Sequence, residues 1–306
     1  MKQTLTSDIY VGRFAPSPTG PLHFGSLLAA TASFLDAQAH QGQWLLRMED
    51  LDKPREVAGA ADDILRTLTA FGFQWDGEVV YQSQQLQRYQ AILENLQQQQ
   101  MVYPCGCTRR EIADIAKAGS NGLIYPGVCR NGLQGKPARS WRLSVPEIAI
   151  SVADKIQSTV RQHLSRDVGD FILRRADGIF AYQLAVVADD AWQGVTHIVR
   201  GADLLESTPR QILLQRYLNY PEPSYAHLPV ATDHGGQKLS KQNRAEPVRV
   251  EENGRVLCEV LTLLGLQPPT DLGAATLADI WAWAIQHWQI DKVPRCRRLL
   301  APDWCD

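Results

Sequence analysis

Arg13-Phe14-Ala15-Pro16-Ser17-Pro18-Thr19-Gly20-Pro21-Leu22-His23-Phe24-Gly25-Ser26 lies near the start of this 306-residue chain and decides how the rest is read. A β-branched and aromatic run, Ile9-Tyr10-Val11, leads into it. Pro16, Pro18 and Gly20 then forbid regular structure until His23. After Ser26 the pattern is helical, with Leu27, Leu28, Thr31, Phe34 and Leu35 on one face. The segment reads as strand, rigid loop and helix N-terminus. Such a junction points unpaired backbone N–H groups and a positive dipole end above the sheet, which favours phosphate. His23 and Gly25 stand where a donor and a close backbone approach are most useful. By composition alone the same residues describe a Pro-rich turn with a helix-capping His. Their order carries the further meaning.

With 44% hydrophobic residues, the chain can bury one sizeable core plus a small appendage. It has no run of 18 apolar residues and no apolar segment after Met1, so neither export nor membrane insertion is expected, and the cytoplasm is. A net charge of −2 gives no global field for nucleic acid. Only Lys292-Val293-Pro294-Arg295-Cys296-Arg297-Arg298 is locally basic, and such a run is either a nucleic-acid contact or solvated surface. Six cysteines in a chain of this length do not describe a disulfide framework. Cys105, Cys107 and Cys129 cluster, whereas Cys258, Cys296 and Cys305 are scattered and suit small incidental thiols.

Strand and helix patterns alternate after the opening segment. Trp44-Leu45-Leu46-Arg47-Met48 reads as a strand, and residues 58–71 and 84–98 read as helices. The alternation predicts βαβ units and a parallel sheet. Periodicity weakens over residues 103–167, where Gly, Asn and Pro are frequent, as in an insertion between two halves of the sheet. It returns with a helix over 180–190, a strand over 195–200 and a helix over 204–218. Val256, Val260, Leu263 and Leu264 form one apolar stripe. Leu277, Ile280, Trp281, Ala284 and Trp288 form another, so two C-terminal helices should pack together.

Further clusters invite chemistry. Gly235-Gly236-Gln237-Lys238-Leu239-Ser240-Lys241 describes a flexible loop bearing two ammonium groups, a pattern also common in surface turns. Arg47-Met48-Glu49-Asp50 ends the second strand, where open parallel sheets bind ligands, although an acidic turn capping a helix reads the same way. Tyr182 taken alone suits a core or rim aromatic. Asp189 and Asp190 suit either helix capping or a polar site.

The opening segment resembles the first nucleotide-binding motif of the class I aminoacyl-tRNA synthetases, and most closely the glutamyl branch. The box here is His23-Phe24-Gly25-Ser26, with Ser in place of the second His. Lys238-Leu239-Ser240-Lys241 resembles the second motif, with Gln242 in place of its final Ser. Arg47 to Asp50, Arg175 to Asp190 and Gly194 to Asp203 resemble further blocks of the glutamyl enzymes. The resemblance spans about residues 10–241 and implies an α/β fold, a Rossmann-like parallel sheet. It also implies ATP, with Mg2+, at His23, Gly25, Ser26 and Lys241, with Lys238 supporting Lys241 on pyrophosphate. Glutamate would be read by Arg13, Phe14, Ala15, Pro16, Ser17, Glu49, Tyr182 and Arg200. Glu49 would face the ammonium group, and Arg13 and Arg200 would contact the carboxylates bidentately.

Cys105-x-Cys107 with Cys129 supplies three thiolates, one short of a closed tetrahedral zinc site. The pattern, followed by Tyr125-Pro126-Gly127-Val128-Cys129, resembles that of the truncated glutamyl-queuosine tRNA(Asp) synthetases. It implies structural Zn2+ with Tyr125 as fourth ligand, a place that water or another residue could also take. Glutamyl-tRNA synthetases continue into helical anticodon-binding domains, and residues 242–306 suffice only for the two helices above. The resemblance thus implies tRNA-independent activation of L-glutamate and its transfer to queuosine in tRNA(Asp), by a monomer. A minimal glutamyl-tRNA synthetase and a non-catalytic nucleotide- or tRNA-binding paralogue are the alternatives. The expected division is 1–102 and 168–245 for the two sheet halves, 103–167 for the zinc insertion and 246–306 for a small helical region, with no anticodon-binding domain.

Overall fold

The computed structural model describes residues 9–119, 122–239 and 246–305. The first half of the sheet is a run of alternating strands and helices: β1 (Val11–Phe14), α1 (Phe24–Ala39), β2 (Gln43–Met48), α2 (Ala60–Ala70), β3 (Val80–Tyr81) and α3 (Leu86–Gln98). β1 pairs in parallel with β2, and β2 with β3. The first strand begins later than the run Ile9-Tyr10-Val11 suggested. It continues to Phe14, which pairs opposite Leu46, because the first proline comes only at Pro16.

The poorly periodic stretch is built from short pieces. They are β4 (Val102–Cys105), α4 (Arg109–Ile115), β5 (Lys117–Gly119), β6 (Gly122–Ile124), β7 (Ser140–Leu143), β8 (Ala149–Asp154), β9 (Ser158–His163), α5 (Leu164–Asp167) and β10 (Ile172–Arg174). β4 and β10 flank β7 in an antiparallel sheet. The second half follows with α6 (Tyr182–Trp192), β11 (His197–Gly201), α7 (Thr208–Leu218), β12 (Ser224–Leu228) and β13 (Val230–Thr232). β11 and β12 are parallel, and β8 joins the far side of β12 in parallel while pairing antiparallel with β9.

The halves meet at β1 and β11. Thr196 donates its backbone N–H to the Val11 carbonyl at 2.9 Å, and its Oγ1 accepts the Val11 N–H at 2.9 Å. The chain leaves β1 toward β2 on one side and leaves β11 toward β12 on the other. This reversal opens a crevice at the carboxyl ends of the strands, where ligands bind in such sheets.

The remaining elements are α8 (Asn253–Leu263), α9 (Leu277–His287) and β14 (Arg298–Leu300). α8 and α9 pack on each other and also on the outer face of α1. That second packing explains why α1 is buried nearly all round, from Phe24 to Ala37, rather than along one stripe. Indole N–H groups tie the layer down: Trp281 donates to the Phe71 carbonyl and Trp288 to Asp36 Oδ1, each at 2.9 Å. The basic run lies largely on the surface, with Lys292, Arg295, Arg297 and Arg298 exposed. Its end is structural as well, since β14 pairs in parallel with β13 and Arg298 Nη1 donates to the Gly236 carbonyl at 3.3 Å. Among the described residues no helix is long and apolar enough to cross a membrane.

Candidate active site

A cavity of about 450 Å³ opens at the crevice between the sheet halves, within the size range of small-ligand sites. It is lined by Arg13, Phe14, Ala15, Pro16 and Ser17, by His23, Gly25 and Ser26, and by Glu49, Tyr182, Arg200 and Lys238. Lys241 lies outside the described residues, although Leu239 lines the cavity and Pro247 pairs with His23. Every other residue expected at the amino acid or the nucleotide comes to this one place. Sequence reasoning missed Asp203, which accepts a hydrogen bond from Lys238 Nζ at 2.6 Å, and the wall formed by Leu228, Pro229, Val230 and Ala231. Their position just beyond β11 and β12 was the available signal, because ligands gather at the ends of parallel strands.

The start of α1 follows the loop as a helix N-terminus capped by histidine. His23 is the N-cap of α1, with Nδ1 accepting the Ser26 N–H at 3.3 Å and Nε2 lying 3.1 Å from Ser26 Oγ. Ser26 thus stands against the imidazole of the same box. A Cβ on Gly25 would meet His23 Cε1 at 3.2 Å, so glycine lets the first helical turn and the imidazole stand side by side.

Charge is arranged differently around the two arginines. Arg13 grips Asp190 through Nε at 3.1 Å and Nη2 at 3.4 Å. Fully buried Arg47 adds Nη2 to Asp190 Oδ1 at 2.8 Å and reaches Glu49 at 3.6 Å. Asp190 is therefore not a cap but a buried anion that holds Arg13 of the cavity wall and Arg47 behind it. Its carboxyl is pressed upward by burial yet held below the usual range by Arg13 and Arg47. Asp189 faces the other way and accepts from Tyr89 OH at 2.7 Å, Gln82 Nε2 at 2.9 Å and Arg88 Nη1 at 3.2 Å.

Arg200 has four neutral acceptors: His227 Nε2 at 3.0 Å, Tyr182 OH at 3.2 Å, Thr208 Oγ1 at 2.8 Å and Gln211 Oε1 at 2.7 Å. Among the described residues four of its five N–H groups are thereby used, and one on Nη1 remains. A bidentate grip by Arg200 alone would break one of these bonds. Tyr182 accepts from Arg200, so its own hydroxyl proton is available. The two side chains together form a two-point donor for one carboxylate, whereas Arg13 keeps the outer end of its guanidinium open.

Glu49 completes the set. Burial pushes its carboxyl up to about 7, although Arg47 and Arg13 oppose the shift. A group so poised turns anionic readily when an ammonium group arrives.

Away from the cavity, Cys105, Cys107 and Cys129 bring their sulfurs within 4.8 Å of one another. The hydroxyl of buried Tyr125 lies 3.4 Å from both Cys105 Sγ and Cys107 Sγ and accepts the Cys129 N–H at 3.1 Å. The Arg142 guanidinium stacks 4.0 Å over the Tyr125 ring. Three soft sulfurs and one phenolic oxygen converge in a buried pocket beside a compensating cation, a donor set that fits a small, thiophilic divalent metal.

The fold and the cavity together define a nucleotide-using α/β enzyme of the synthetase type. Residues 10–272 match the family of tRNA synthetases class I (E and Q), catalytic domain. A glutamyl-Q tRNA(Asp) synthetase of Dechloromonas aromatica is 58% identical over 96% of this chain and 98% of its own length. One from Chromobacterium violaceum is 55% identical over 95% and 97%. The crystal structure of a glutamate tRNA ligase from Elizabethkingia meningosepticum, in complex with its amino acid, superposes with a TM-score of 0.78 at 24% identity. It matches 95% of this chain, which spans 66% of that longer protein, and the likeness is one of fold. The chain belongs to the class I tRNA synthetases and, within them, to the glutamyl-Q tRNA(Asp) synthetase family.

Glu49 yields a pH test. Its raised value keeps the carboxyl largely neutral below about pH 7 in the empty cavity, and the anion accumulates as pH rises through that point. Glutamate binding measured by calorimetry should therefore tighten from pH 6 to 8. Glu49→Gln should bind weakly with no such slope, and a wild-type affinity independent of pH would remove Glu49 from the ammonium site.

Proposed function

We propose that this enzyme joins L-glutamate to ATP as glutamyl-adenylate without needing tRNA, then transfers the glutamyl group to the queuosine of tRNA(Asp). The observation that carries the first step is the meeting, in one cavity, of two arginines with open donors, a poised carboxylate and a helix N-terminus. Glutamate has two carboxylates and one ammonium group, and the cavity offers a partner for each. The names and near-complete coverage of the relatives support the acceptor.

In this reading Glu49 takes the α-ammonium group, Tyr182 with Arg200 holds one carboxylate, and Arg13 faces the other. Phe14, Ala15, Pro16 and Ser17 form the adjoining wall. A carboxylate oxygen of glutamate attacks the α-phosphorus of ATP, and the bond to pyrophosphate breaks. No enzyme-bound covalent intermediate is required, so the protein contributes positioning and charge stabilisation. His23, Gly25 and Ser26 cradle the triphosphate at the N-terminus of α1, and Lys238 and Lys241 offset charge on the departing pyrophosphate. Mg2+ enters with ATP. A hydroxyl of the queuosine cyclopentenediol then attacks the activated carbonyl, and AMP leaves.

Zn2+ would be held by Cys105, Cys107, Cys129 and Tyr125. With four protein ligands it would be a structural ion, joining β4 to the Tyr125–Cys129 turn where the apolar core is small. The enzyme would act as a cytoplasmic monomer.

The decisive comparison uses tRNA(Asp) from cells with and without queuosine and radiolabelled glutamate. Label should enter only queuosine-containing tRNA, and equal labelling of both would replace this reading with a minimal glutamyl-tRNA synthetase. Lys241→Ala should remain folded while losing roughly 10²–10³ in the rate of glutamate-dependent ATP–pyrophosphate exchange. Near-normal exchange would reassign the pyrophosphate contact. Elemental analysis should find about one zinc per chain by the four-ligand rule, and Cys129→Ser should lose most of it. A metal-free wild-type protein with an ordered insertion would exclude the ion.

A further inference from the structure

His227, on β12 behind Arg200, belongs to none of the motifs read from the sequence. Its ring is fully buried between two charged groups of opposite sign. Nδ1 lies 2.6 Å from Asp154 Oδ2, and Nε2 lies 3.0 Å from Arg200 Nε. The guanidinium nitrogen can only donate, so the ring nitrogen facing it must be an unprotonated acceptor. The proton of the neutral ring is then on Nδ1 and donates to Asp154.

Asp154 is held for this task. Its Oδ1 accepts the backbone N–H groups of Ile156 at 3.0 Å, Gln157 at 2.8 Å and His227 itself at 3.1 Å. These bonds fix the carboxylate, and its second oxygen fixes the imidazole tautomer. The bond is also a tertiary one: β8 pairs with β12 through the Asp154–Tyr225 register alone.

From this juxtaposition we propose that His227, locked by Asp154 as the neutral Nδ1–H tautomer, is a positioning residue for glutamate recognition. It orients Arg200 so that its one remaining N–H points with the Tyr182 hydroxyl at the substrate carboxylate. The inference rests on the glutamate reading above. The acceptors around Arg200 explain why a neutral ring is needed. A carboxylate in place of His227 would hold Arg200 as well, but it would neutralise the charge that the substrate carboxylate is to meet. An imidazolium would set a second N–H against Nε of Arg200. The neutral imidazole does neither.

The charged and titratable groups facing the ring are Asp154 from β8, Arg200 from β11 and Asp203 from the turn after β11, with Tyr225 stacked beside it on β12. Burial and Arg200 together overcome Asp154 and bring the imidazole down to about 4. The site should therefore keep its tautomer through the physiological range.

Two near-isosteric variants separate the two ring nitrogens. His227→Gln places an amide oxygen where Nε2 was and preserves the acceptor for Arg200. His227→Asn places an amide near Nδ1, preserving the bond to Asp154 while leaving Arg200 Nε without its acceptor. Glutamate-dependent pyrophosphate exchange should show the KM for glutamate rising about 10- to 100-fold in His227→Asn, the effect of a lost hydrogen bond to a charged group. In His227→Gln it should stay within about threefold, and the KM for ATP should be unchanged in both. Equal effects of the two variants, or a parallel rise in the KM for ATP, would overturn the positioning role.

The intact protein gives a test that needs neither variant to fold. With ¹⁵N-labelled histidine, His227 should show the Nδ1–H tautomer unchanged from pH 8 to 5.5. An Nε2–H tautomer, or titration near 6.5, would overturn the proposal. Wild-type protein that lacks glutamate-dependent exchange altogether would instead refute the glutamate reading on which it rests.

Discussion

The carboxylate of Asp190 is the contact on which the site depends. It stands on α6 and accepts from Arg13 on β1 and Arg47 on β2, so three elements from both halves of the chain meet at one buried anion. Taking such groups out of water costs several kcal/mol per ion, and only close, hydrogen-bonded partners offset it. Loss of either partner would leave a buried charge unmatched. Asp189 extends the constraint to α3 through Tyr89 and Arg88. The crevice at the strand reversal is therefore shaped as much by this ion network as by apolar packing.

Charge balance then separates the roles of the arginines. Arg13 is matched by Asp190 and offers direction more than net charge. Among the described residues Arg200 is gripped by neutral acceptors alone, so its charge remains for a ligand. Glu49 sits between these conditions, near cations but desolvated, which leaves it close to neutrality on the pH scale. A cavity with these three groups favours a ligand that carries two negative charges and one positive charge.

Much of this was legible along the chain because it is local. The turn from β1 into α1 follows from Pro16, Pro18, Gly20 and the helical spacing after Ser26, and the alternation of patterns anticipated the parallel sheet. The Cys105, Cys107 and Cys129 cluster was likewise visible as spacing. Other features were not. Arg47 looked like part of a ligand-binding turn, and it proves to lie beneath the site. β14 comes from a segment that reads as solvated charge, yet it pairs with β13 and braces the glycine-rich turn through Arg298. The full burial of α1 required knowing that α8 and α9 cover its outer face.

Sequence by itself determined the type of elements and the strand, rigid loop and helix start around His23, because proline, glycine and hydrophobic period act on the nearest few residues. Only the tertiary structure decided which charges neutralise one another and which stay open. Arg13 and Arg200 are indistinguishable as letters. One meets Asp190 across 177 positions, and the other meets His227, which sheet pairing brings beside it and Asp154 holds. Coulomb interaction depends on distance and desolvation, and neither is a property of a residue until the chain has folded.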